Sequence, residues 1–506
     1  MSRRRTLQLP IVLFIGFIFL CFVQFPAFRD HTASTATDYF AYGSSFLNPG
    51  VVGQGASISN TITDVGAGAS VAGPPKKDSP IHSPEEKLPT SSSVVTEPAS
   101  LPVESVEVKP KAAEEGTKGE AEAEENEKQM DFKDPGIVPQ LVRSIMDLSD
   151  TTVPRMSCHS PIGARYNHLK PEAKPASASP TDANSTIRYF LALDLFEVAA
   201  LLPRLMGSVV EVMRHLGPEN CALSIVEGRS QDITYKVLDA LREPLAGLGV
   251  PYTLTTSSLD PKHGEVNRIE ALAELRNLAL RPLLTHPELY DAKDTTVIFL
   301  NDIAVCPHDI LELVHQQFAQ GADMSCAMDW IPNGPFYDVW VSRGINGDTF
   351  FEIPQNAGWE FAGNLFWSDS YSKTRYEKKA PVQVYACWNG IAVFTATPLL
   401  SGGVSFRQSV EKECYMGEPT LLCKDFWRQG RGKIMIVPTI NVGYNDADGA
   451  VIKEKQGSVE DSVDVKTDVG LKRDEGEAGG IKWQIKPPGA VKCLPEFQSP
   501  SWVGPL

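Results

Sequence analysis

The stretch "TTVIFLNDIAVCPHDILEL", residues 295–313, decides how the rest of the chain is interpreted. Its apolar and β-branched run, TVIFL, is typical of a strand that is buried on both faces. The run stops at Asn301-Asp302, and a helix is predicted to begin near Pro307, because proline favours the first helical turn. An interior strand therefore delivers a carboxylate to the point where the strand ends.

Strand-like and helix-like segments alternate on the N-terminal side of this stretch. Strands are predicted at 187–195, 221–228, 251–256 and 295–300, and helices at 197–217, 230–249 and 267–284. The first helix has one apolar face and should stop at Gly217, and the second is predicted to be capped near Ser230. Such alternation predicts right-handed β-α-β crossovers, and so an α/β fold with a mostly parallel central sheet.

Three acidic residues, Asp194, Glu227 and Asp302, each fall near the end of a predicted parallel strand. Open parallel sheets bind ligands beyond the carboxyl ends of their strands, so these carboxylates should gather along one edge. Carboxylates are suitable ligands for a cation that bridges a diphosphate. The alternative is that Asp302 only caps the turn into the next helix.

Basic and amide side chains are predicted to join this edge. Arg276 and Asn277 form a polar pair in the middle of a mainly apolar helix, and Arg229 follows Glu227-Gly228. A guanidinium group is suited to phosphate oxygens, because its donors form a fixed fork. Each arginine could instead face solvent, and Arg229 could fold back onto Glu227.

Aromatic and acidic residues are interleaved in "AMDWIPNGPFYDVWVSRGINGDTFF", residues 327–351, which includes Asp338 and Asp348. Aromatic faces and carboxylates suit the two kinds of surface that a sugar presents, although each aromatic residue could simply be core. Further on, Glu413 lies beside Cys414 and Cys423, which could close a short loop. Asp446-Ala447-Asp448 is a literal Asp-x-Asp triplet, but we interpret it as a solvated turn.

The two ends of the chain look unlike the middle. Residues 1–8 contain "RRR" and precede an apolar segment, 9–28, that is long enough to cross a bilayer and is predicted to be a type II signal anchor with a cytoplasmic tail. A cleaved signal peptide is the alternative. Residues 29–136 are rich in Ser, Pro, Gly, Ala and Glu and predict a disordered stem. Residues 446–506 predict an acidic flexible segment and a C-terminal extension.

Cysteine usage and charge restrict the compartment and the partners. Eight cysteines follow the anchor, which fits up to four disulfides in an oxidising lumen: Cys158, Cys221, Cys306, Cys326, Cys387, Cys414, Cys423 and Cys493. Asn184-Ser185-Thr186 is an N-glycosylation sequon, which agrees with that location. The anchor and stem together predict a single-pass Golgi membrane protein with a luminal domain. The net charge of −16 argues against a nucleic-acid partner.

Several motifs together resemble the fungal capsular α-1,3-mannosyltransferase family, which includes the cryptococcal capsule-associated proteins. The resemblance covers most of the predicted folded region, 137–445, and rests on "RIEALAELRNLALRPL", "VIFLNDIAVCPHDILELV", "FYDVWVSRGINGDTFFE" and "ACWNGIAVF". It implies a GT-A-like fold and retaining transfer of mannose from GDP-mannose to a mannoside acceptor, with Mn²⁺ or Mg²⁺ as cofactor. Asn301-Asp302 stands where such enzymes have Asp-x-Asp, so one carboxylate is supplied locally.

The resemblance also implies roles for the singled-out residues. Asp302 would hold the metal ion, and Asp338, Asp348 and Glu413 are candidates for contacting the sugar or the acceptor. The nucleotide sugar would be bound by Asp194, Glu227, Arg229, Arg276, Asn277 and Asn301. Two alternatives stay open: the same fold with another nucleotide sugar, or a non-catalytic luminal protein that supports polysaccharide assembly or export.

Overall fold

The computed structural model describes residues 130–170, 187–263, 266–354, 358–470, 479–495 and 500–506. These residues all belong to one compact unit of the chain, 116–506. The predicted anchor at 9–28, most of the predicted stem, and the sequon at Asn184 lie outside the described residues. Among those that are described, none of the helices is both long and apolar enough to cross a membrane.

A nine-stranded mixed sheet forms the centre of the described part of the chain, with strand order β3-β2-β1-β4-β8-β5-β9-β7-β6. A separate antiparallel pair, β10-β11, lies near the C-terminus. The strands are β1 Tyr189–Leu195, β2 Cys221–Glu227, β3 Tyr252–Thr256, β4 Thr296–Leu300, β5 Met324–Asp329, β6 Arg343–Gly344, β7 Val382–Ala386, β8 Ile391–Thr395, β9 Ile434–Val442, β10 Val491–Cys493 and β11 Ser501–Val503.

Helices cover both faces of this sheet. They are α1 Val138–Met146, α2 Leu202–Leu216, α3 Thr234–Ala240, α4 Arg242–Leu248, α5 Arg268–Thr285, α6 Pro307–Gln320, α7 Ser370–Glu377, α8 Thr397–Leu400, α9 Glu418–Arg428, α10 Asp446–Gln456 and α11 Val459–Ser462. Short 3₁₀ helices lie at Pro135–Ile137, Ala164–Leu169, Pro218–Asn220, Pro287–Leu289 and Trp359–Gly363.

The alternation of side chains along β1 shows how two cores arise from one sheet. Leu191 and Leu193 point into a core that α2 and α6 cover. Phe190 and Ala192 point into a second core that α5 and α9 cover. Successive strand residues face opposite sides of a sheet, so a nearly continuous apolar strand requires cover on both. The prediction of an α/β fold with a doubly covered sheet is confirmed.

Strand direction decides which loops meet. The pairings of β1 with β2 and β4, of β2 with β3, and of β5 with β9 are parallel. The pairings of β8 with β4 and β5, and of β7 with β9 and β6, are antiparallel. Only β7 and β8 therefore run against the other strands of this sheet, which confirms mostly parallel strands. Consequently the carboxyl ends of β1, β4, β5 and β9 share one edge with the start of β8.

Local signals predicted some boundaries well and others poorly. Gly217 ends α2 with φ 87°, and Asn267 caps α5 by accepting from Ile269 N at 2.9 Å. The predicted second helix is broken into α3 and α4, and Ser230 lies before it. The Ser230 hydroxyl instead accepts a hydrogen bond from Glu197 N at 2.8 Å, which ties two loops together.

The C-terminal segment differs from its interpretation as a flexible chain. Residues 446–470 contain α10 and α11, and Ile452 and Val459 are buried in the two cores. Asp446 begins α10 behind an Asn445 cap, so the Asp-x-Asp triplet lies on a helix and not in a solvated turn. Burial raises the pKa of Asp446 to about 6, and Arg204 and Arg155 oppose this rise. The few apolar residues of this mainly charged segment therefore pack it against the rest of the domain.

Three disulfides close the described chain, one fewer than the cysteine count allowed. They join Cys158 to Cys306, Cys326 to Cys387, and Cys414 to Cys493. Cys221 and Cys423 are buried free thiols. The short loop from Cys414 to Cys423 was therefore a wrong expectation, because Cys414 pairs with a cysteine of β10.

Candidate active site

Arg276 lies at the centre of the carboxyl-end edge of the sheet. It projects from α5 and is only 8% exposed, and its guanidinium carbon lies 4.4 Å from the Trp388 ring centroid. Its Nε donates to Glu418 Oε1 at 2.8 Å, and one Nη donates to Asn301 Oδ1 at 3.3 Å. The polar position on an apolar helix thus faces inwards, where aromatic stacking and charged hydrogen bonds fix its orientation.

The turn after β4 is built around Asn301. Its side-chain oxygen accepts from Arg276 and also from Trp388 Nε1, at 3.0 Å. Its backbone N–H donates to Gly390 O at 2.8 Å, and Gly390 has φ 81°, which favours glycine. Asn301 therefore holds Arg276 and the start of β8 in place through its hydrogen bonds. The next residue, Asp302, lies at the edge of the sheet.

Asp194 lies near the end of β1, and Asp302 lies two residues beyond the end of the neighbouring strand β4, whose last residue, Leu300, is in register with Leu193. Burial raises the pKa of Asp302 to about 6, while its own backbone N–H, Arg276 and Lys262 oppose the rise. Burial raises the pKa of Asp194 to about 7; Arg276 opposes this, and the charges of Asp302 and Glu418 add to it. Two carboxylates are thus held where ionisation is costly and a cation is favoured.

Asp338 is a further acidic residue near Arg276 and Glu418. Burial raises its pKa to about 6, a hydrogen bond from Asn389 N at 3.0 Å and the charge of Arg276 oppose the rise, and Glu418 adds to it. We call Arg276, Asp194, Asp302, Asp338 and Glu418 the Arg276 cluster. Its four carboxylates share one central arginine, so negative charge is in excess.

A further carboxylate, Asp329, is not part of this cluster but interacts with Asp338. It ends β5, is completely buried, and accepts from Tyr444 Oη at 2.6 Å, while its Oδ1 has no hydrogen-bond partner in the described part of the chain. Burial and the charge of Asp338 hold the pKa of Asp329 well above its usual value. The raised pKa of Asp329 favours its protonated form, which lessens the repulsion between it and Asp338.

Glu418, Asp329, Trp388, Asn389 and Tyr444 were missed as site residues. Asp329 carries the same signal as Asp302, an acid at the end of an apolar strand, and could have been found from it. Glu418 begins a helix at Gly417-Glu418-Pro419, which is an ordinary helix start with no sign of a site. Sequence spacing does not show that this helix start meets Arg276, which is 142 residues away.

Two predicted nucleotide-binding residues lie at the neighbouring end of the edge. Glu227 is buried at the end of β2, and its carboxylate accepts from Ser230 N at 2.8 Å, so it closes a turn. Arg229 has φ 57°, forms an ion pair with Asp260 at 2.9 Å, and lies over the Phe196 ring at 5.3 Å. Neither has a described contact with the Arg276 cluster.

Three further predicted residues are committed to other contacts. Asn277 holds the Phe406 backbone, with Nδ2 to Phe406 O at 2.9 Å and Phe406 N to Oδ1 at 3.0 Å. Asp348 pairs with Lys492 at 3.1 Å. Glu413 accepts from Arg407 Nη1 and Lys424 Nζ, each at 2.7 Å. These contacts make the three residues structural supports.

Glu413 belongs to a separate charged group, which we call the Arg407 cluster: Arg407, Glu413, Lys424, Asp425 and Arg428. Burial alone would raise the pKa of Glu413, but hydrogen bonds from Arg407 and Lys424 outweigh it and lower the pKa to about 2. Three cations here surround two carboxylates, so no acid is left in excess.

Within the described residues, no group of three or more His, Cys, Asp or Glu side chains is arranged to hold a metal ion. The Arg276 cluster instead fits an ion that takes one or two carboxylates and completes its shell with phosphate oxygens and water, as Mg²⁺ commonly does. The observation in favour is the excess of half-buried carboxylates at Asp194 and Asp302.

A cavity of about 380 Å³ lies along the other side of α5, lined by Asn277, Phe406, Arg407 and neighbouring residues of the helix. A second cavity, of about 230 Å³, lies between Trp330 and α10. The lining of neither cavity includes Arg276 or Asp302. The predicted convergence of Arg276 with Asp302 is present, whereas these cavities belong to other surfaces.

Comparison with known proteins gives matches over the same region. The family described as Cryptococcal mannosyltransferase 1 matches residues 188–425. Alpha-1,3-mannosyltransferase CMT1 of Cryptococcus neoformans var. neoformans serotype D is 35% identical over 343 residues, which cover 65% of this chain and 73% of that protein.

Solved structures give weaker likenesses. S. aureus TarS in complex with UDP has a TM-score of 0.30 at 9% identity, over 51% of this chain. The mannosyltransferase PcManGT from Pyrobaculum calidifontis, in complex with GDP-Man and Mn²⁺, has a TM-score of 0.31 at 12% identity, over 53% of this chain. In each case the match covers 60% of the other chain. TM-scores this low do not by themselves establish a shared fold.

The matched region contains the strands and helices that assemble the Arg276 cluster, from β1 to α9. The identity to the Cryptococcus enzyme extends over almost three quarters of its length. The chain therefore belongs to the cryptococcal mannosyltransferase family and is a glycosyltransferase.

Proposed function

We propose that this glycosyltransferase transfers mannose from GDP-mannose to a mannoside acceptor in α-1,3 linkage, with retention of configuration, and that its domain is a GT-A-like variant. The observation that carries the proposal is the excess of carboxylates around Arg276 at the carboxyl-end edge of the sheet. Membership of the family supports the choice of mannose. The acceptor would be a growing capsule or cell-wall polysaccharide.

The diphosphate of the donor would lie over Asn301 and Asp302. Mn²⁺ or Mg²⁺ bound by Asp302 would neutralise the charge that builds up on the departing diphosphate. Arg276 uses Nε and one Nη inside the protein, and its other Nη has no acceptor among the described residues. That group is the one available to a phosphate oxygen. Asn301 acts as a positioning residue by holding the guanidinium group.

Asp338 is the carboxylate that we assign to the sugar. Of the three sequence candidates it is the one in the Arg276 cluster, since Asp348 and Glu413 are committed to lysine and arginine. The hydrogen bond from Asn389 N fixes its orientation. An ionised Asp338 would stabilise the positive charge that develops on the anomeric carbon.

The membrane anchor and the location complete the proposal. We propose that residues 9–28 hold the protein in the Golgi membrane as a single-pass type II protein, with the stem carrying the catalytic domain into the lumen. The disulfides of the described domain support an oxidising compartment. Fractionation of cells that express the full chain, with and without residues 9–28, tests the anchor.

Release of GDP from GDP-mannose by the detergent-solubilised full chain is the decisive experiment. We expect slow release without acceptor, at least a tenfold stimulation by an α-mannoside with Mn²⁺ present, and an α-1,3 linkage in the product by NMR. Parallel assays with UDP-sugars and GDP-fucose test the choice of donor. Stimulated release from one of those, and none from GDP-mannose, would refute the donor assignment.

A further inference from the structure

Two aromatic side chains, Trp340 and Tyr415, adjoin the Arg276 cluster. Their ring centroids lie 6.2 Å apart with an interplanar angle of 51°, and both side chains are half-buried. Trp340 lies two residues after Asp338, and Tyr415 lies three residues before Glu418. Since each residue spans at most about 3.6 Å of chain, the backbone of Trp340 is within about 7 Å of that of Asp338, and the backbone of Tyr415 is within about 11 Å of that of Glu418.

The backbone around the two rings is held firmly. Thr420 Oγ1 of α9 donates to Val341 O at 2.9 Å, which joins the turn after Asp338 to the first turn of that helix. Gly417 lies against the Trp340 ring, and a methyl group added to it would be 3.1 Å from that ring. The absence of a side chain at Gly417 therefore lets the indole approach the helix start closely.

The C-terminal segment anchors the same rings from the other side. Trp340 Nε1 donates to Leu494 O at 2.7 Å, and the disulfide between Cys414 and Cys493 fixes the residue next to Tyr415. Arg343 is fully buried and donates to Lys492 O at 2.7 Å and to Trp340 O at 3.1 Å. Two segments that are distant in sequence are thus locked together where the two rings meet.

Polar groups flank the two rings. Asn267, the cap of α5, donates through Nδ2 to Tyr415 Oη at 3.4 Å. Asp338 and Glu418 lie close to the two rings along the chain. An aromatic ring with a negative face attracts the weakly positive C–H face of a hexose, and adjacent amide and carboxylate groups can bind its hydroxyls. This combination suits a pyranose ring.

We propose that Trp340 and Tyr415 form the binding platform for the acceptor hexose, next to the mannosyl group of the donor, and that the C-terminal segment 491–494 positions it. The proposal rests on the proposed function, because it takes Asp338 and Arg276 as the donor side of the site. Trp340 and Tyr415 would thus bind the acceptor, and the Arg276 cluster would bind the donor.

The test is a comparison of Trp340→Ala, Trp340→Phe and Tyr415→Ala with the unaltered full chain. We expect the KM for an α-mannoside acceptor to rise about tenfold in the two alanine variants, since stacking of this kind is worth roughly a factor of ten in affinity. Trp340→Phe should recover most of that loss. The KM for GDP-mannose and the slow acceptor-free release of GDP should change less than about twofold.

Trp359→Ala is the matched control, since Trp359 is 64% exposed and has no described contact with the two rings. We expect it to leave the acceptor KM unchanged. An equal fall of acceptor-free GDP release and of transfer in Trp340→Ala would mean that the ring only supports the fold, and would overturn the proposal. An unchanged acceptor KM would overturn it as well.

Binding of an α-1,3-mannobiose to the protein alone, followed by titration calorimetry, separates this proposal from the proposed function. Binding that weakens about tenfold in Trp340→Ala supports the platform even if the donor proves not to be GDP-mannose. Binding that is equal in both proteins, or absent from the unaltered chain, refutes the platform even if GDP-mannose is the donor.

Discussion

The Arg276 cluster and the Arg407 cluster contain the same kinds of side chain with opposite charge balance. In the first, one arginine serves four carboxylates, and burial raises the pKa of Asp194 and Asp302. In the second, three cations serve two carboxylates, and hydrogen bonds from Arg407 and Lys424 overcome burial to lower the pKa of Glu413. A cluster with an excess of carboxylates favours the binding of a cation. A cluster whose carboxylates are neutralised by basic side chains stabilises the fold instead.

The largest effect should come from Asp302→Asn. We expect transfer to fall by about 10²–10³-fold, because the variant removes the proposed ligand that stabilises charge on the departing diphosphate. The melting temperature should not fall, because Asp302 is a carboxylate whose pKa burial raises to about 6, and its ionised form costs stability at neutral pH. Steady-state kinetics with GDP-mannose and Mn²⁺, together with thermal denaturation, measure both.

Asp446→Asn is the matched control for that variant. Burial raises the pKa of Asp446 to about 6 as well, but this residue begins α10 and neighbours Arg204 and Arg155 instead of Arg276. Its activity should remain within about twofold of the unaltered protein. An Asp302→Asn variant that is fully active would remove the metal assignment, and equal losses in both variants would point to a general effect of buried aspartates.

The second effect is a difference of sign in stability between the two clusters, measured in EDTA at pH 8. We expect Asp194→Asn to stabilise the protein by roughly 1–3 kcal/mol and Glu413→Gln to destabilise it by about 3 kcal/mol. The pKa of Asp194 is raised to about 7, so its contribution favours folding at low pH and is lost as pH rises from about 4 through 7. The pKa of Glu413 is lowered to about 2, so its contribution is present above about pH 4.5.

Denaturant unfolding between pH 4 and pH 8 checks this sign directly. The gain from Asp194→Asn should shrink towards zero as the pH falls to 4, whereas the loss from Glu413→Gln should persist over the whole range. Added Mn²⁺ should reduce the gain from Asp194→Asn, because a bound cation offsets the excess charge. Shifts of the same sign in both variants would show that charge balance does not distinguish the two clusters.

The sequence predicted the sheet edge better than it predicted the membership of the site. Apolar strands that end in acids predicted where Asp194 and Asp302 lie, since strand direction alone brings those ends together. Asp348 was chosen because it lay among aromatic residues, and Glu413 because it lay beside cysteines that could close a loop. Their basic partners, Lys492 and Arg407, could not be identified from spacing. Contacts between distant segments decide whether a carboxylate is free to serve a ligand.

The same limit explains the C-terminus. Charged residues dominate 453–480, so the segment was interpreted as solvated chain. A few apolar side chains, with Val459 among them, pack into the main core, and Lys453 pairs with Asp309 at 2.8 Å. Because each such contact is long-range, average composition concealed it. The disulfide from Cys414 to Cys493 is another link between distant segments that spacing could not supply.

The smallest effect concerns Arg229, which belongs to neither cluster. Its ion pair with Asp260 is partly exposed, with side chains 31% and 23% accessible, so Arg229→Ala should cost less than about 1 kcal/mol of stability. We expect the KM for GDP-mannose to rise less than about threefold, since the guanidinium is already held by Asp260 and Phe196. Asp260→Asn removes the charge that holds the arginine and makes the test sharper. If Asp260→Asn lowers the KM for GDP-mannose while Arg229→Ala raises it tenfold, then Arg229 leaves Asp260 to bind phosphate. In that case the donor site extends from the Arg276 cluster to the end of β2.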